Sequence, residues 1–111
     1  MKGKIMVEGI AQLREVLEHM RGSKADTLLE AAISGWAQRI SAFTRDKPKS
    51  PFVGDLDWLA RTMLTAAHTH DRPSQGVLNI WANRLEAGID LAARKQHELD
   101  TFFASTVSVR A

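Results

Sequence analysis

The chain has 111 residues, 44% hydrophobic and 25% charged, which suits one globular domain and excludes a disordered tract or two separate cores. It has no cysteine, which removes disulfides, thiolate zinc sites and cysteine nucleophiles together, so packing has to supply its stability. Fifteen Lys and Arg against thirteen Asp and Glu give a formal charge of +2, too mild an excess to imply a nucleic-acid partner by itself.

Met1-Lys2-Gly3-Lys4 leads into Ile5-Met6-Val7-Glu8, shorter than the apolar stretch of a signal peptide, and no run approaches the about 18 apolar residues of a membrane span. The expectation is a cytoplasmic protein with no membrane partner. From Met6 to Arg21, Ile10, Leu13, Leu17 and Met20 recur at helical spacing, and Gly22 is placed to end that helix. Ser23 with Asp26 three residues on reads as a cap, so a second helix is expected to start there. Leu29, Ile33, Trp36, Ile40 and Phe43 form its stripe, and Gly35 inside it suggests a close helix contact.

Arg45-Asp46-Lys47-Pro48-Lys49-Ser50-Pro51 carries two prolines and three cations and reads as the main loop. Asp55 is the expected cap of a third helix, with Leu56, Leu59, Met63 and Ala67 inward, Trp58 on the flank, and an end near Thr69. Asp71-Arg72-Pro73-Ser74 then opens a fourth helix, its proline suited to the first turn. Leu78, Trp81, Leu85, Gly88, Ala92, Leu99 and Phe102 carry the helix to about Ala104, with a bend expected at Gly88. Ser105-Thr106-Val107-Ser108-Val109 is β-branched and polar and is expected to be extended. Four amphipathic segments bury their faces against one another, so the predicted fold class is all-α, a four-helix bundle or an irregular compact helical domain.

Candidate chemistry is thin. His19, His68, His70 and His97 are the groups that titrate near neutrality, but residues two apart on a helix point about 200° apart, so His68 and His70 do not share a metal there. The His70-Asp71 doublet resembles that of the metal-dependent HD phosphohydrolases, over two residues only, and their remaining His and Asp ligands have no counterpart here. The carboxylates Glu15 and Glu18, Asp55 and Asp57, and Glu86 and Asp90 read as solvated faces and caps. No Gly-rich phosphate loop or serine elbow occurs, so the expectation is a non-enzyme with no cofactor and no required metal. Trp36, Trp58 and Trp81 fall one to a helix and read as core, one with an edge free. Phe102 and Phe103 are adjacent and cannot both face one core, which leaves a homodimer open.

Pro73-Ser74-Gln75-Gly76-Val77-Leu78-Asn79-Ile80-Trp81 with Arg84 and Glu86-Ala87-Gly88 resembles the second helix of a repressor-type helix-turn-helix. That resemblance implies a DNA-binding regulator with Ser74, Gln75 and Asn79 as base-edge readers. Trp58-Leu59-Ala60-Arg61 lies further upstream than the motif's short turn allows, and the helix outruns recognition length. In size and character, with helical composition, no catalytic set, no cysteine and a second methionine soon after the first, the chain is similar to small helical proteins of phages and mobile elements, type I anti-CRISPR inhibitors among them. That resemblance implies an interaction protein that blocks an effector complex or its recruited nuclease by covering a surface. A homodimeric scaffold or chaperone-like subunit is the other interaction reading. For a protein partner the proline-bounded loop offers Arg45, Lys47, Lys49 and Phe52 as first contacts, cations for steering beside an aromatic anchor.

Overall fold

In the computed structural model of the chain, the backbone is described for residues 2–45, 47 and 51–110, and the side chains for residues 8–45, 47 and 53–97. Four helices follow one another: α1 (Lys2–Gly22), α2 (Glu30–Thr44), α3 (Pro51–His68) and α4 (Gln75–Arg110), with no strand among the described residues. The expected all-α bundle is what forms. Each helix packs on the next and α4 returns to α1, which closes a ring of four seams. The pairs Gly9 with Phe43, Leu56 with Gly88, and Arg21 with Glu86 fix antiparallel neighbours at three of those seams. The molecule measures 58 × 23 × 20 Å, a length set by α4, whose 36 residues span about 54 Å at 1.5 Å per residue.

One apolar core runs through the ring. From α1 it takes Ile10, Leu13, Val16 and Met20, with Val16 fully buried and Leu17 only partly so. From α2 come Ile33, Trp36, Ala37, Ile40 and Phe43, and from α3 Leu56, Leu59, Ala60, Met63 and Ala67. Leu78, Trp81, Ala82, Leu85, Ile89 and Ala92 complete it from α4. Leu99, Phe102 and Phe103 have side chains outside the described residues.

The helix starts differ from expectation in two places. The Ser23 hydroxyl donates backwards to the His19 carbonyl at 2.6 Å, so it closes α1 instead of capping α2. A 3-10 turn, Ala25–Thr27, follows, and α2 begins at Glu30 after Leu29, which is extended and makes no side-chain cap. Tertiary bonds hold that turn: the Ala25 N–H donates to Gln75 Oε1 at 2.9 Å, and Arg72 Nη1 donates to the Asp26 carbonyl at 3.1 Å. Leu28 takes the buried place and Leu29 faces solvent, so the stripe of α2 starts at Ile33. In α3, Pro51 occupies the first helical position, where its missing N–H costs nothing, and Asp55 lies exposed in the second turn instead of at the cap.

The glycine contacts also move. Gly35 has open space around it, whereas a β-carbon on Gly9 would lie 2.7 Å from Phe43 Cδ2. Gly88 sits against Leu56, and α4 runs through it as one continuous helix.

α3 ends in a Schellman motif: the Asp71 N–H donates to the Ala66 carbonyl at 3.0 Å and the His70 N–H to the Ala67 carbonyl at 3.4 Å. The left-handed residue of that motif is His70, with φ of 56°, where glycine is the usual choice. The Ser74 hydroxyl then accepts the Val77 N–H at 3.1 Å and caps α4, with Pro73 buried just ahead of the cap instead of inside the first turn. α4 continues through Arg110, so residues 105–109 are helical and not extended. Adding a residue to an existing helix needs no new nucleus, and the β-branched penalty of a few tenths of a kcal/mol per residue does not stop it.

Candidate interaction surface

The residues that the helix-turn-helix resemblance assigns to base reading serve the fold. Ser74 is the cap of α4; Gln75 accepts from Ala25 through Oε1 and donates from Nε2 to Asn79 Oδ1 at 3.2 Å. All three are exposed, but each polar head has a partner inside the chain. Six residues, 69–74, separate α3 from α4, longer than the turn of that motif.

Of the four loop residues, Arg45 is exposed at the end of α2. Lys47 folds back: Nζ donates to the Phe43 carbonyl at 2.8 Å and stands 3.9 Å from the Phe43 ring centroid, so its cation sits on the last turn of α2. Lys49 and the side chain of Phe52 lie outside the described residues.

The polar candidates are dispersed. Glu30 accepts from His70 Nδ1 at 2.8 Å, Asp57 pairs with Arg61 at 3.0 Å, and Glu86 with Arg21 at 3.2 Å, where Arg21 also donates to Asn83 at 2.9 Å. Glu15, Glu18, Asp55, Asp90, His19, His68 and His97 are exposed. Among the described residues no three His, Asp or Glu side chains converge where a metal ion would be held, and no helix is long and apolar enough to cross a membrane.

The three tryptophans divide. Trp36 and Trp81 are core, whereas Trp58 is 51% exposed on the flank of α3. The stripe of α3 accounts for this, since Leu56, Leu59 and Met63 take the inward arc and Trp58 falls about 130° round the helix from its centre, on the outward side. The Arg84 guanidinium on α4 lies over the Trp58 ring, 4.9 Å from its centroid, within cation–π range. Beside this pair an open groove of about 570 Å³ runs between α3 and the start of α4, walled by Trp58, Thr62, Thr65, Val77 and Trp81, with Arg61, Arg72 and the carboxylate of Asp71 as its charged lining. The hydroxyls of Thr62 and Thr69 donate to carbonyls one turn back in α3, at 2.8 and 2.9 Å, which leaves their methyl groups to the apolar lining.

The exposed apolar residues continue along α4. Val77 is 38% exposed, Ile80 53% and Leu91 43%; with Trp58 and Leu29 (67%) they make up the large exposed hydrophobics among the described residues. At 3.6 residues per turn, Val77, Ile80, Arg84 and Leu91 fall within an arc of about 60° on the side of α4 next to Trp58. Their spacing of three, four and seven is a second, outward stripe on a helix whose inward stripe is the more conspicuous. In the sequence the stronger inward stripe of Leu78, Trp81, Leu85 and Ala92 masks it. Comparison of the chain with protein-family models, with curated proteins and with solved structures found no match.

Proposed function

We propose that this is a non-catalytic helical binding module that acts by covering part of the surface of another protein. The observation that carries the reading is Trp58, held half out of the bundle under the Arg84 guanidinium and sharing a groove with Val77. An exposed tryptophan on a rigid helix loses little entropy on binding and buries a large area, and Trp and Arg are the commonest anchors of protein interfaces. A DNA-regulator reading is less well supported, because Ser74, Gln75 and Asn79 already bond within the chain. The similarity in size and character to small inhibitors of type I effector complexes makes blockade of such a complex the first activity to assay.

The experiment is affinity capture from an extract of the source cells, with the intact chain and with Trp58→Ala compared at equal loading. A stoichiometric protein retained by the intact chain and lost with Trp58→Ala supports the reading. Capture indifferent to Trp58 but lost when Arg45, Lys47 and Lys49 are reversed in charge would move the interface to the loop between α2 and α3.

A further inference from the structure

We infer that the outward stripe of α4, with Trp58 beside it, receives an acidic amphipathic α-helix of the partner. This inference rests on the preceding reading that the chain binds a protein, and it adds the chemistry of what is bound.

The shape argues for a helix. From Val77 to Leu91 the stripe is about 21 Å long, four turns, and only about 60° wide. Residues spaced three and four apart in so narrow a band form the seam against which one helix lays another. A helix face that lies in a membrane surface is broader, at least about 100°. Single-stranded nucleic acid calls for several aromatic platforms along a basic groove. Among the described residues one ring is exposed, and apart from Arg84 the rest of the stripe is aliphatic.

The charge argues for acid. Among the described residues the charged ones within the same arc are Arg84, at the middle of the stripe, and Lys95, one turn past Leu91; both are exposed and both are cations, and the arc reaches its first acidic position only at residue 98, a turn further on. Arg94 and Arg61 stand to either side, and Asp57 is engaged by Arg61. A partner helix seated on Val77, Ile80 and Leu91 therefore meets positive charge at the middle of its contact, at Arg84, and again where it runs on past Leu91 to Lys95. Carboxylates flanking its apolar residues complement that pattern.

A second copy fits worse. Arg84 is the midpoint of the stripe from Val77 to Leu91, so two copies related by a two-fold axis through the stripe would set one Arg84 against the other. The stacking of Arg84 on Trp58 also keeps the cation in place before the partner arrives, which lowers the ordering cost of binding.

The test uses a synthetic peptide of about four helical turns, with leucines at heptad spacing and glutamates flanking them, and a twin in which every glutamate is lysine. Each is titrated into the full chain and followed by tryptophan fluorescence and amide shifts. The acidic peptide binds with amide shifts confined to α3 and α4, and its affinity falls as salt rises; the lysine twin does not bind. Trp58→Ala weakens the acidic peptide by about tenfold or more. Arg84→Glu does the same and, in addition, confers binding of the lysine twin. Melting curves that keep both variants fully folded at the temperature of the titration show that the losses are not unfolding.

Equal binding of both peptides, or of neither, overturns the acidic-helix assignment. So does a wild-type dimer in sedimentation that Ile80→Asp dissolves, or binding of anionic vesicles or single-stranded DNA that Trp58→Ala abolishes. If capture from extract still depends on Trp58 while neither peptide binds, the interaction reading stands and only the acidic helix falls. If neither capture nor peptide binding responds to Trp58→Ala, both fall.

Discussion

Leu56 on α3 and Gly88 on α4 approach so closely that a β-carbon on the glycine would lie 2.5 Å from Leu56 Cδ2 and 2.8 Å from its Cγ. In an exposed helix Gly→Ala gains about 1 kcal/mol from propensity, but here the added methyl has to displace a fully buried leucine. Gly88→Ala is therefore expected to lose about 1 to 3 kcal/mol in urea titration. Pairing it with Leu56→Ala should recover part of that loss as a coupling between neighbours. A stabilised single variant would show that α3 slides on α4 at little cost.

Gly35 gives the opposite expectation, because nothing lies within 4 Å of the β-carbon it would gain. Gly35→Ala should raise stability by about 0.5 to 1 kcal/mol through the unfolded chain and helix propensity. The same titration reads it, and a loss would mean that a neighbour closes over this glycine.

Ile33 and Ile40 are almost fully buried mid-stripe on α2. Either one changed to Ala should cost about 2 to 4 kcal/mol, lost contacts and a residual cavity together. A cost below about 1 kcal/mol would place that face in solvent.

His70 occupies the left-handed position at the end of α3 and pairs with Glu30 through side chains that are 77% and 42% exposed. The backbone conformation disfavours a side chain by about 1 to 2 kcal/mol, and an exposed hydrogen-bonded pair offsets at most about 1 kcal/mol. His70→Gly is thus expected to be neutral or stabilising by up to about 1 kcal/mol, and His70→Val to be destabilising. A thermal melt of His70→Gly well below the wild type would assign the Glu30 contact a larger share.

Trp58 is the one tryptophan whose ring is open to water, while Trp36 and Trp81 are 6% and 5% exposed. Acrylamide should quench one accessible component of the emission, and Trp58→Phe should remove it. Trp58→Ala should change stability by about 1 kcal/mol, chiefly the lost cation–π contact, against about 3 to 5 kcal/mol for Trp81→Ala. An accessible component that survives Trp58→Phe would put a second indole at the surface.

Periodicity made the core legible wherever one face of a helix is buried: Ile33, Trp36, Ile40 and Phe43 on α2, and Leu56, Leu59, Met63 and Ala67 on α3, stand where their spacing puts them. Local capping chemistry was less informative, because a hydroxyl does not declare which way it bonds. Ser23 turns back to α1 while Ser74 caps forward into α4, and only the tertiary bonds to Ala25 and Asp26 decide where α2 starts. The tail at 105–109 was misread on propensity, which weighs less than continuation of a long helix. The candidate surface was half visible. Trp58 stands off its stripe as the spacing implies, but Val77, Ile80 and Leu91 are hidden beside the stronger inward stripe of Leu78, Trp81, Leu85 and Ala92, and only their exposure singles them out.

The ring order also bears on how fast the chain reaches its native state. Three seams join helices that follow one another, and the fourth joins α1 to α4 across sequence separations such as the 65 residues between Arg21 and Glu86. Local hairpins of this kind form in microseconds to milliseconds, while a seam between distant segments has first to close a long loop. The α1–α4 seam is then the contact with the largest loop to close. Breaking the Arg21–Glu86 contact of that seam should slow refolding if the seam is closed when the barrier is crossed and hasten unfolding if it closes afterwards.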